Sequence, residues 1–498
     1  MYIQSAEEAL DRVIPEDLFL IDKRRGRSLQ AQVRETIVSG VLSGHLVPGA
    51  RLPSTRRLSA YLKVSRITVS LAYQELVSQG YLEAADRSGY LISRNAPVAR
   101  VRSGDRAAPS GRLDWPARLT RRFSIAKPIR KPLDWRSYPY PFLYGQTDMS
   151  LFDLAAWRDC TRRALARADF DFMAGDFAAA DDMQLVHYIS SRTLPRRGIK
   201  AHPDEILVTV GAQNALWIVI QLLLGEGRHA VCENPCHPDI HAALKLSGSK
   251  VSVVPVDDGG LPPEQMPKGV DAVFVTPSHQ SPTAVRMPME RRRRLLDMAE
   301  AEDFIVVEDD YEFEMSFLEP PSPALRSLDR SGRVLYVGSF SKSLFPGLRL
   351  GYLVGPPELI REARALRALL LRHPPGHLQR TAANFLALGH YDALIRRMRI
   401  EYARRHQIMA AALAAEGLTI AGKSAFGGTS FWIEGPEGLD ADRLSEALQA
   451  DGVLIETGSP FFAEETGPCR FFRMAYSSIP VQQIEKGVQL TAARLRHM

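Results

Sequence analysis

Cysteine is scarce in this chain of 498 residues: Cys160, Cys232, Cys236 and Cys469 are all there are. They are scattered, which excludes a disulfide-stapled secreted scaffold and suits a reducing cytoplasm. Cys232-x3-Cys236-His237 has the chemistry of a metal ligand set, but no second pair stands at zinc spacing, so no metal is expected. Long apolar runs are missing too. The longest, Ala215 to Leu224 interrupted by Gln221, is far short of a bilayer span and reads as buried helix. Residues 1–20 lack the basic start and apolar core of a secretory signal, so a cytoplasmic protein with no membrane partner is expected. Neither sign of charge dominates, since 63 Lys and Arg face 57 Asp and Glu. Function must therefore be sought in where charge is concentrated. The length exceeds one ordinary domain.

What is present is most informative at Val334-Leu-Tyr-Val-Gly-Ser-Phe-Ser-Lys-Ser-Leu-Phe-Pro-Gly-Leu-Arg-Leu-Gly351. An apolar strand delivers a turn in which Ser339 stands three before Lys342 and Arg349 seven after it. A lysine at the mouth of a buried strand loses its proton easily, because desolvation disfavours the ammonium, and can condense with an aldehyde cofactor. Ser339 and Arg349 suit a phosphate. A second apolar strand, Phe304 to Asp309, ends in Asp309-Asp-Tyr311. Pyridoxal 5'-phosphate needs a lysine at its aldehyde, a carboxylate at its pyridine nitrogen, a donor at its phenolic oxygen and a phosphate cradle. These two strand ends carry all four.

On those residues the region from Tyr138 to the C-terminus resembles the fold-type I pyridoxal phosphate enzymes of the aminotransferase class. The resemblance makes Lys342 the cofactor lysine, Asp309 the ring-nitrogen partner, Tyr311 the phenolic-oxygen partner, and Ser339 and Arg349 phosphate ligands. Ile206 to Leu216 reads as strand, glycine turn and helix start, which aims the backbone N–H groups of Ala212 and Gln213 at an anion. Arg473, in Arg470-Phe-Phe-Arg-Met-Ala-Tyr476, matches the arginine that clamps a substrate carboxylate. The sequence also departs from the family. Ser281 stands for the usual asparagine beside the ring, and His237 falls where an aromatic usually stacks. Asp239 and His241 follow where some relatives carry an arginine. The stretch Met173 to Asp182 receives no role.

Residues 17–94 differ in character. Leu29 to Leu42 has apolar residues at helical spacing, Ser54-Thr55 caps a short helix to Leu62, and Ser65 opens a third helix from Arg66. Tyr81 to Glu83 and Tyr90 to Ile92 alternate about a glycine tip, forming a hairpin. This predicts a winged helix-turn-helix with Ser65, Arg66 and Thr68 at the start of the recognition helix, Arg51, Arg56 and Arg57 flanking it, and Arg87 on the wing. The stretches Pro48 to Arg56, Val64 to Val69 and Gly80 to Leu82 closely resemble the GntR family of bacterial regulators. Residues 95–136, rich in Pro, Ala, Ser and Arg, read as a flexible basic linker that includes Lys131.

From residue 137 onward, apolar strand-like runs alternate with helical ones. The rhythm predicts an α/β fold with a mostly parallel sheet and a small α+β lobe over 390–498. The whole arrangement resembles the MocR type of transcription regulator. That resemblance implies a head-to-tail homodimer that binds operator DNA and senses a small amino compound through an external aldimine at Lys342. A working aminotransferase carrying a DNA-binding module is the rival reading, and an inert dimerising body the third. The intact Lys342, Asp309, Tyr311 and Arg349 speak against the third.

Overall fold

The computed structural model describes residues 13–498 except 20, 22–27, 86–88, 97–112, 121–128, 130, 177, 423–426 and 464–466. Contacts divide the chain into two compact units, Met1–Arg121 and Arg122–Met498.

In the first unit, α1 (Leu29–Leu42), α2 (Thr55–Leu62) and α3 (Arg66–Ser78) precede a hairpin of β1 (Leu82–Ala85) and β2 (Gly89–Ile92). Ser28, Ser54 and Ser65 cap the three helices, each side chain accepting a backbone N–H of the first turn. Lys63, in the left-handed region at φ 51°, ends α2 and allows the tight turn into α3. Val33, Ile37 and Val41 recur at helical spacing on α1 and meet Leu58, Val69, Tyr73 and Leu76 in one small core. The Tyr73 hydroxyl donates to the Pro53 carbonyl at 3.0 Å, and its ring meets Tyr90 edge-on at 4.9 Å, which fixes the wing against α3.

The second unit is built on a seven-stranded sheet. Its strands are β4 (Ile206–Thr209), β5 (His229–Asn234), β6 (Lys250–Pro255), β7 (Ala272–Val275), β8 (Ile305–Asp310), β9 (Val334–Ser339) and β10 (Gly351–Val354). They follow the short strand β3 (Tyr140–Pro141), which pairs outside this sheet. The order is β4-β10-β9-β8-β7-β5-β6, with only β10 reversed. That reversal follows from a short connection: Ser339 to Gly351 holds no crossover helix, so the chain must return antiparallel. Strands β4, β7, β9 and β10 are buried along their whole length, as covering of both faces requires. The connecting helices place the C-terminal ends of β8 and β9 side by side, with Asp309 opposite Val337 in register.

The long helix His390–Ala415 opens the small lobe. In that lobe β11 (Thr419–Ile420), β12 (Ser430–Glu434), β14 (Glu456–Thr457) and β15 (Phe471–Ala475) form an antiparallel sheet, while β13 (Val453–Leu454) pairs with β3. Glu456 faces Arg473 in register. No described helix is long and apolar enough to cross a membrane.

Candidate functional site

A cavity of about 440 Å³ lies at the C-terminal ends of the parallel strands. Ala212, Gln213, His237, Asp309, Tyr311, Ser339, Lys342 and Arg349, the eight residues predicted around a cofactor, all line it, together with Ser281 and Asp239. They come from five separate segments, which only the doubly wound topology gathers at one edge.

Three consecutive acids end β8, and strand alternation decides between them. Glu308 turns to the face away from the cavity and accepts the N–H groups of Leu325 and Arg326 at 2.9 and 3.0 Å. Asp310, on that same face, is held by Arg197 at 2.6 Å and by the Tyr336 hydroxyl at 2.9 Å. Asp309 alone points into the cavity. Its Oδ1 is buried without a hydrogen-bond partner, and burial, with Asp310 and Glu233 nearby, pushes its carboxyl up to about 7. A buried carboxylate oxygen in that condition calls for a cationic N–H.

Lys342 stands across from it. Its Nζ lies 4.2 Å from the centroid of the Tyr144 ring, and desolvation first, then Lys131 and Arg473, bring its ammonium down to about 7. Gly145 lets the backbone approach this amine: a Cβ there would fall 2.2 Å from Nζ, and its φ is +73°. Tyr144 and Gly145 carry no sequence signature that separates them from an ordinary aromatic turn.

The residues predicted to hold a phosphate come from three places. The helix Ala212–Leu223 begins at Gly211, whose φ of +78° turns the N–H groups of Ala212 and Gln213 toward the cavity. A Cβ at Gly211 would come within 3.2 Å of Arg349 Nη2. Arg349 is exposed and touches the Val210 carbonyl and Gln213 Oε1 only at 3.5 Å. Ser339 Oγ accepts the N–H of Ser341, which brings a further hydroxyl to the cavity wall.

Other predicted residues sit less simply. The Tyr311 hydroxyl donates to the His279 carbonyl at 2.8 Å, so its one proton is already directed away from a ring oxygen. His237 Nδ1 accepts the N–H of Asp239, and desolvation, with Arg473 and Lys342 adding, lowers the imidazole to about 4. A neutral ring results. Arg473 does not line the cavity. It is 2% exposed, with its guanidinium against the rings of Tyr144 (3.9 Å) and Phe461 (4.7 Å). Its Nε and Nη2 donate to Glu456 Oε2 at 2.8 and 2.7 Å. The edge bearing Nη1 has no hydrogen-bond partner among the described residues.

Two readings from sequence change. Lys131, placed in the flexible linker, is anchored to the body by its contacts with the Tyr144 carbonyl (2.6 Å) and Glu456 (3.2 Å). Within Met173 to Asp182, the acids are structural. Asp181 accepts from Arg364 at 2.7 Å and also binds the buried Arg367, while Asp182 caps the helix Met183–Tyr188 and pairs with Arg380 at 2.6 Å.

On the first unit, Arg56, Arg57, Ser65 and Arg66 are exposed and Arg51 and Thr68 partly so. Arg66 Nε rests on the Thr55 hydroxyl at 3.3 Å, and Arg57 is paired with Glu16. Arg51 lies between the wing and the N-terminal segment, bridged to Leu91 and Val13. Arg87 lies outside the described residues.

The profile of the bacterial regulatory proteins of the gntR family matches residues 29–92, and that of aminotransferase class I and II matches residues 158–490. The HTH-type transcriptional regulator TauR of Rhodobacter capsulatus is 50% identical over 97% of this chain and 100% of its own length. The probable rhizopine catabolism regulatory protein MocR of Rhizobium meliloti is 31% identical over 95% of this chain and 94% of its own. The chain belongs to the MocR-type transcriptional regulators. The aminotransferase-like body of this regulator also resembles LysN, an α-aminoadipate aminotransferase from Thermus thermophilus solved with N-(5'-phosphopyridoxyl)-L-leucine. There the TM-score is 0.68 and the identity 27%, covering 77% of this chain and 99% of LysN. A MocR-type regulator thus pairs a GntR helix-turn-helix with an aminotransferase fold, and the cavity described above lies wholly within the second.

Proposed function

We propose that the protein binds operator DNA through α3 and its flanking arginines and responds to a small amino compound taken up, with pyridoxal 5'-phosphate, in the cavity at the strand ends. The observation that carries this reading is the pairing of Asp309 and Lys342 in one cavity, with an orphaned carboxylate oxygen on one side and an amine of depressed proton affinity on the other. When bound, the cofactor supplies an aldehyde that captures amines and a cationic ring nitrogen. Asp309 would hold that nitrogen. The helix start at Ala212, with Gln213, Ser339 and Arg349, would hold the phosphate, and neutral His237 would lie against the ring. Ser281 lacks the amide donor of the usual asparagine, and Tyr311 must turn from His279 to supply one. Arg473, which does not line the cavity, would present its Nη1 edge to an acidic group of the effector once the Tyr144 ring gives way.

For regulation, the effector must bind more tightly to one arrangement of the regulator than to another. The protein is expected to act in the cytoplasm as a head-to-tail homodimer, which suits paired operator half-sites.

The test is reconstitution of the cofactor-free protein across pH. Below about 7 Lys342 is an ammonium and Asp309 protonated; above it the amine is free and the carboxylate charged. Both changes favour capture, so the rate of gain in visible absorbance should climb as pH rises through about 7 and then level. A rate that falls over that interval would remove these two residues from the role. Keto acid formed beyond one equivalent per protomer, with an amino donor and a keto acceptor present, would make the protein a working aminotransferase.

A further inference from the structure

Glu456 is the hub of a buried charge cluster that reaches well beyond the cavity. Its Oε2 takes both bonds from Arg473, and its Oε1 takes the Tyr144 N–H at 3.2 Å and the Lys131 ammonium at 3.2 Å. The carboxylate is fully enclosed, yet Arg473 and Lys131 hold it below the usual range despite desolvation. It is therefore charged. Arg473 and Glu456 alone sum to zero, and a neutral buried pair has little attraction left for an incoming anion. Lys131, 29% exposed, gives the Arg473–Glu456–Lys131 group one net positive charge beside the Tyr144 ring that Arg473 and Lys342 both contact, while the Tyr144 hydroxyl donates to Glu312 at 3.1 Å.

We propose that Lys131 is a positioning and specificity-determining residue of the effector site, which keeps the Arg473–Glu456 pair net cationic so that the site selects amino compounds bearing an anionic group over simple amines. This rests on the reading of Arg473 as the acid clamp. Without Lys131, Glu456 would cancel the guanidinium it orients. With it, Glu456 fixes the Nε edge of Arg473 against two rings while the Nη1 edge keeps its pull. The same ammonium acts on Lys342. The charged groups around that amine are Lys131, Arg473, Glu312, Glu456, Asp309 and, when protonated, His237, with the Tyr144 ring in contact. Lys131 is the largest electrostatic influence among them. Removing its charge raises the proton affinity of Lys342, a change that a merely structural anchor would not produce.

The experiment compares wild type, Lys131→Gln and Lys131→Arg, each reconstituted with pyridoxal 5'-phosphate. Glycine, β-alanine and L-alanine are titrated against glycinamide, β-alaninamide and L-alaninamide, reading the shift in visible absorbance. Wild type should prefer each acid to its amide, K131Q should lose about tenfold of that preference, and K131R should regain it. In K131Q the pH midpoint for cofactor capture should move up, and in K131R stay. An acid preference that K131Q leaves intact overturns the proposal while sparing Arg473. No acid preference in wild type overturns the Arg473 reading and the role of Lys131 with it. If no probe shifts the spectrum, the capture midpoint decides, and one that K131Q leaves in place overturns the proposal.

Discussion

Arg66, at the start of α3, stands in solvent with a single 3.3 Å contact to Thr55, whereas Arg473 in β15 is 2% exposed and held by one carboxylate and two aromatic rings. The same side chain stands under opposite rules in the two units. On the first unit the partner brings the counter-charge, so the arginines must be exposed, and water screens whatever they do until DNA arrives. In the second unit the charges are already out of water, so each must be balanced by the protein before any ligand arrives. That balance is what Arg197 provides for Asp310, and what Arg473 and Lys131 provide for Glu456. Asp309 is the departure from this rule. Asp310 and Glu233 also leave one oxygen unpartnered but have the other held, whereas Asp309 has no hydrogen bond or ion pair among the described residues. A group that breaks the rule of its own unit is the one to suspect of chemistry.

The comparison is sharpened most by Lys342→Ala. Visible absorbance from bound cofactor should vanish, while operator binding without effector stays close to wild type, because no residue of the first unit is altered. Retention of an imine spectrum would end the case for Lys342. Next come the adjacent acids of β8. Asp310→Ala strands the buried Arg197 and should cost about 3–5 kcal/mol in denaturant unfolding. Asp309→Asn should cost no stability, since it relieves the burial of an unpaired acid. It should instead weaken cofactor binding by about a hundredfold, the two pKa units or so that an opposite charge is worth. Equal effects of the two on stability would erase the distinction drawn between them. On the exposed side, Arg66→Ala should lower operator affinity by about 1–3 kcal/mol and relax preference at one base pair, as measured by site selection from random DNA. The smallest effect is expected from Ser65→Ala, which removes the cap of α3 and should cost about 1 kcal/mol in unfolding. An Arg66 variant as selective as wild type would move the reading surface elsewhere.

Much of both units was legible in the residues. The predicted span of α1 coincides with the observed Leu29–Leu42, and the apolar strand read at the start of Val334–Gly351 is β9. Caps, glycine turns and apolar periodicity are local, and local signals survive in sequence. Lys342, Asp309 and the helix start at Ala212 could be singled out because each lies at the end of a buried strand, and strand ends in this topology converge. Lys131 was misplaced for the complementary reason. Its neighbours are those of a linker, and nothing near it in sequence announces Glu456, which lies more than three hundred positions away.

The sequence by itself determined the two-part architecture, the mixed α/β sheet with its lysine and aspartate at adjacent strand ends, and the capped recognition helix. Each depends on patterns a few residues long. Tertiary structure alone decided that Asp309 faces the cavity while Glu308 and Asp310 turn away, and that Tyr311 spends its proton on His279. It also decided that Arg473 is held by Glu456 against the rings of Tyr144 and Phe461. The physical reason is that these are questions of which buried charge meets which partner. In a medium that cannot screen them, the answer depends on distances between residues that only the folded chain brings together.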